Sequence, residues 1–203
     1  MLKIKVFNYF RAIWLPLMGF GVVVILGFIC GYAMPGIINP QTKAEITFYY
    51  DTIIKALPQA DFNLSAELKN VLLLNCGLLA LLWLAGLTIA GLVLILAVLF
   101  GKGFMLGFCL SLVCNNPIIS GVFIMLGLVL PPNLLLIGIY LIGAVAAAFF
   151  AQGLIFKKEG RNFLGQFISY SGYFMVLLAA VVLCSLGQGL AAPFLVKKFF
   201  TLV

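Results

Sequence analysis

The chain has 203 residues, 65% of them apolar and 8% charged, with a net charge of +7 and no histidine. A water-soluble domain carries roughly 45–50% apolar and ~25% charged residues, so a soluble globule is excluded. A membrane barrel alternates polar and apolar residues, whereas Val93-Leu94-Ile95-Leu96-Ala97-Val98-Leu99 does not, which leaves helices that satisfy their own backbone groups.

In chain order, residues 1–12 form a basic, aromatic lead-in with Lys3, Lys5 and Arg11. The apolar run from Ile13 to Met34 is too long for a secretory signal core and is followed by no A-x-A site, so it reads as an uncleaved span over 14–34. Pro35-Gly36 is expected to end it. Within it, Gly27 and Gly31 are four residues apart, the spacing that lets another helix approach closely.

Residues 36–69 hold most of the charges outside the termini. Thr42-Lys43-Ala44-Glu45 fits a capping box, and Ile46, Tyr49, Tyr50, Ile53, Ile54 and Leu57 recur at helical spacing behind it. Pro58 stops the pattern. The expected product is a short amphipathic helix outside the bilayer. It either covers the bundle or presents Phe48, Tyr49, Tyr50, Ile53 and Ile54 to a partner.

A second segment is expected over 70–100, longer than one perpendicular crossing, with Gly86 and Gly91 as kinks and Asn75 as its one strongly polar residue. Gly101-Lys102-Gly103 reads as a tight turn, because a charge is expensive at mid-bilayer and so marks an aqueous edge. A third segment follows over 104–130, with Gly103 and Gly107 repeating the small-residue spacing. It is broken at Asn115, Asn116 and Pro117. Such a break allows a kinked span, a re-entrant hairpin or a substrate site. After Pro131-Pro132-Asn133 come a small-residue segment over 133–156, a basic loop with Lys157, Lys158 and Arg161, and a last segment over 167–190. The fold expected is all-α: one membrane domain over 1–203, a bundle of about five spans with an extracytoplasmic segment at 36–69.

Counting Lys and Arg, an inside N-terminus puts Lys3, Lys5, Arg11, Lys102, Lys157, Lys158 and Arg161 on one side, seven against the five of Lys43, Lys55, Lys69, Lys197 and Lys198. These basic residues sit in small groups at segment ends, which suits anionic lipid and not nucleic acid. Every acid (Glu45, Asp51, Asp61, Glu67, Glu159) falls in an expected loop, so no ionisable group is expected within the lipid. Without histidine there is neither an HExxH site nor a Ser-His pair, and no phosphate-binding GxxxxGK[ST] occurs. The five cysteines lie in apolar segments without a CxxC pair and read as small buried hydrophobes. No enzyme activity, cofactor or metal is expected.

The order of features carries a resemblance. A first span is followed by Thr47-Phe48-Tyr49-Tyr50, then Trp83-Leu84-Ala85-Gly86-Leu87-Thr88-Ile89-Ala90-Gly91-Leu92. Next come Phe100-Gly101-Lys102-Gly103-Phe104-Met105-Leu106-Gly107-Phe108 and Leu130-Pro131-Pro132-Asn133, and finally Pro193 ahead of basic and aromatic residues. Over nearly its whole length the chain resembles the stage II sporulation protein M family of endospore-forming bacteria. The resemblance implies a multi-pass protein of the cytoplasmic membrane. It also implies a scaffold that places two peptidoglycan hydrolases, the stage II sporulation proteins D and P, during engulfment of the forespore. Broader relatives are suspected of transport, and a transporter or channel-like subunit is the alternative.

Overall fold

The computed structural model describes residues 2–56, 64–88, 90–115, 122, 127, 129–155 and 163–200. Six helices order the described chain: α1 (Leu2–Ile37), α2 (Pro40–Ala56), α3 (Leu64–Gly86), α4 (Gly91–Asn115), α5 (Leu130–Ile155) and α6 (Phe163–Phe200). All but α2 are long and apolar enough to cross a bilayer, over Ile13–Ile37, Leu68–Gly86, Gly91–Asn115, Leu130–Leu154 and Phe163–Leu190. The architecture is a polytopic helical bundle with five spans.

The count of spans agrees with the sequence reading, but the second and third spans are divided elsewhere. The chain turns between Gly86 and Gly91, and Gly101-Lys102-Gly103 lies inside α4. In the turn Leu87 N–H donates to Leu84 O at 3.0 Å and Gly91 N–H to Thr88 O at 3.1 Å, while the Thr88 hydroxyl donates to Ala85 O at 3.3 Å. Gly91 lies so close to the Ala85 carbonyl that a Cβ would overlap it. The expected 70–100 segment was therefore one crossing plus the first half of the next, and the excess length was a hidden hairpin.

Two helix boundaries also differ. α1 continues through Pro35 to Ile37, because a proline near a C-terminus removes only one late amide bond. α2 begins at Pro40, ahead of the expected capping box, and Thr42 lies inside it. Asn39 is the cap: its side-chain oxygen accepts from Gln41 N–H at 3.3 Å, with Pro40 in the first helical position where a missing N–H is harmless. α5 likewise starts with Pro131 and Pro132 in its first turn.

α1 and α4 run side by side in the same direction. Gly27 meets the Phe100 carbonyl and Gly31 that of Phe104, while Gly103 meets the Val24 carbonyl and Gly107 that of Phe28. At all four positions a Cβ would strike backbone. Each helix thus offers two small residues to the other's carbonyls, a geometry that also favours Cα–H···O contacts. Phe100, Phe104 and Phe108 form a ring ladder along α4, with centroids 6.3 and 6.2 Å apart.

The rest of the core is built on α3, α5 and α6. At one end Tyr170 donates to Trp83 O at 2.8 Å, Trp83 Nε1–H donates to Ser171 Oγ at 3.3 Å, and Phe150 stacks on Tyr170 at 4.3 Å. Gly86 leaves the room that the Tyr170 hydroxyl occupies. Of the cysteines, Cys76 and Cys184 are half-buried, but Cys30, Cys109 and Cys114 are exposed on the bundle surface, so these three are not the buried small hydrophobes expected.

Candidate functional site

Lys102 stands eleven residues after Gly91 and thirteen before Asn115, about 16 and 20 Å along the helix. It is therefore near mid-span, and the expectation that no ionisable group lies within the lipid is overturned. An isolated lysine at a helix centre costs ~2.5–3.5 kcal/mol on insertion scales. Here the amine turns inward and finds polar company. Lys102 Nζ donates to Asn75 Oδ1 at 3.2 Å and sits 5.3 Å from the centroid of the Tyr140 ring, within cation–π range.

Asn75 is the hub of this centre and is 3% exposed. Its Nδ2 donates to Ser185 Oγ at 3.0 Å. Tyr140, fully buried, donates to Asn75 O at 3.1 Å and reaches Asn75 Oδ1 at 3.4 Å. One asparagine on α3 thereby ties α4, α5 and α6. Among the described residues, hollows of about 1030, 490, 10 and 440 Å³ occur, and Lys102, Asn75, Tyr140 and Ser185 are on the wall of none of these four. No carboxylate occurs within the five spans, so amide, hydroxyl and ring replace a counter-ion. The centre can lock helices in register.

The second candidate is α2. Ile46 faces Pro35, Ile38, Phe108 and Leu112 across a narrow hollow, which seats the helix on the ends of α1 and α4. Tyr50 and Asp51 are half-buried, and neither the Tyr50 hydroxyl nor Asp51 Oδ1 has a hydrogen-bond partner. Burial first, then the neighbouring Asp51 and Cys109, push the Tyr50 phenol above its ordinary pKa. Phe48 and Tyr49 point away, 69% and 66% exposed, with rings edge to face at 6.3 Å. Pro40, Lys43, Ala44, Thr47, Phe48 and Asp51 border a hollow of about 490 Å³ along one stripe. Of the residues read as partner-facing, Phe48 and Tyr49 are thus outward and Tyr50 is turned in. The side chains of Ile53 and Ile54 lie outside the described set.

Asn115 ends α4 and folds back on it, donating to Ser111 O at 2.8 Å and Ser111 Oγ at 3.2 Å. Asn116 and Pro117 lie outside the described residues. Tyr140 and Ser185 carried no sequence signal of their own. Lys102 carried one that pointed the wrong way, since its flanking glycines read as a turn when one of them is a helix contact.

No curated protein and no solved structure matches the chain. A family model does match, that of stage II sporulation protein M, over residues 17–185. That stretch contains the three middle spans, most of the first and last spans and both candidate sites, and the chain belongs to the stage II sporulation protein M family.

Proposed function

We propose that this sporulation-related membrane protein is a platform in the cytoplasmic membrane that anchors septal peptidoglycan hydrolases, the stage II sporulation proteins D and P, during forespore engulfment. It performs no reaction of its own. The N-terminus is cytoplasmic and α2 lies on the outer face, where wall enzymes work. With Lys102 inside a span, the Lys and Arg count still leans this way, by six to five.

The observation that carries the reading is α2 itself. One face is seated on α1 and α4, while Phe48 and Tyr49 stand free beside a hollow edged by Lys43 and Asp51. Aromatic anchors beside a polar rim are the usual make-up of a protein interface. The test is capture of the tagged protein from sporulating cells. The native chain brings down the hydrolases. The Phe48→Glu/Tyr49→Glu variant, inserted at native abundance, brings down at least tenfold less, as expected for two lost anchors of ~1 kcal/mol or more each. Equal capture by the variant would remove α2 as the docking helix, and no capture by either would remove the platform reading.

Lys102 favours a second reading, a transporter or channel-like subunit, because an intramembrane lysine commonly marks an ion or substrate path. The two readings differ on what happens when the amine is deleted.

A further inference from the structure

A hollow of about 1030 Å³ is a side-opening groove between the first turns of the α1 span, the last turns of the α5 span and the first turns of the α6 span. Its walls are mainly apolar, with Leu17, Ala146 and Phe149 among them. One stripe of α6, Gln166, Ser169 and Tyr173, adds polar groups. The Ser169 hydroxyl donates to Gly165 O at 2.9 Å, whereas the side chains of Gln166 and Tyr173 make no hydrogen bond among the described residues. An apolar cleft with a few unspent polar groups is the form of a ligand site, and this one is at the upper end of the usual ~300–1,000 Å³.

Charge says which ligand. The three span ends that form the groove share one face of the bundle. In the sequence, the stretches next to those span ends carry Lys3, Lys5, Arg11, Lys157, Lys158 and Arg161 against the single acid Glu159. Those next to the opposite span ends carry Lys43, Lys55, Lys69, Lys197 and Lys198 against Glu45, Asp51, Asp61 and Glu67. One face is strongly positive and the other nearly balanced, and the groove opens at the positive one. We propose that the groove holds an anionic phospholipid, its acyl chains between α1, α5 and α6 and its phosphate at the basic end. The polar stripe of α6 meets its glycerol and ester region.

The test uses the full chain reconstituted in vesicles of equal phosphatidylglycerol and phosphatidylcholine, extracted in mild detergent, with retained lipid measured by mass spectrometry. Phosphatidylglycerol is expected to be retained over phosphatidylcholine. Lys157→Gln/Lys158→Gln should lower that preference by about fivefold for each residue, taking ~1 kcal/mol per basic residue at a membrane surface. Ala146→Phe, which fills the groove from within, should lose the retained lipid altogether. Ile142→Trp, on the groove's half-exposed wall where added bulk does not disturb the core, should do the same. Equal retention of the two lipids by the native chain would overturn the proposal. So would unchanged phosphatidylglycerol on both groove-filling variants, which would show an unspecific lipid annulus.

Discussion

Gly103→Leu and Gly107→Leu will each destabilise the protein by at least ~1–3 kcal/mol, the cost of overpacking a filled interior, and together they will part α1 from α4. At both positions the new side chain meets the backbone of α1 and not the end of a flexible side chain, so no rotamer change relieves it. Gly101→Leu supplies the control two residues away. A Cβ there meets nothing within 4 Å, and replacing a helical glycine gains up to ~1 kcal/mol in helix propensity. Thermal unfolding in mild detergent separates the cases: Gly101→Leu equals or exceeds the native midpoint, while the other two fall below it. If all three behaved alike, the parallel contact of α1 and α4 would be wrong.

Asn75→Leu will be more damaging than Lys102→Met, although lysine is the charged partner. Losing Asn75 strips Lys102 of its one hydrogen-bond acceptor among the described residues and Ser185 of its donor. Hydrogen bonds to charged groups contribute ~1.5–3 kcal/mol, and the lysine would remain in place unsatisfied. Lys102→Met instead removes the group that was expensive to bury and leaves the Tyr140 and Ser185 bonds to Asn75 intact. The double variant Asn75→Leu/Lys102→Met should recover much of the loss, because the orphaned amine goes with its acceptor. Simple addition of the two single effects would show that the pair does not interact.

How far the sequence reached follows from where its signals were strong. Apolar runs far longer than one crossing gave helices in a membrane, and the ends of the last two spans were marked by Pro131-Pro132 and by the basic loop. The small-residue spacing at Gly27, Gly31, Gly103 and Gly107 is where α1 meets α4. The hairpin at Leu87–Ala90 was invisible because its turn contains no charge, proline or asparagine; only Gly86 and Gly91 flank it, and both read equally well as kinks. Lys102 was misplaced by a sound rule applied without its exception. A charge avoids mid-bilayer unless the fold supplies partners, and those partners, Asn75 and Tyr140, come from helices 27 and 38 residues away in the chain. Tyr50 was assigned to the outward face of α2 because aromatic periodicity alone does not say which side of an amphipathic helix is seated.

The platform reading treats Lys102 as a brace between helices, whereas conduction makes it the working group. Lys102→Met, produced at native abundance in a spore-forming host lacking its own copy, decides between them. The platform account predicts heat-resistant spores in numbers close to those of the native chain, and continued capture of the hydrolases. Loss of sporulation with the folded variant still in the membrane and still holding its partners would contradict it.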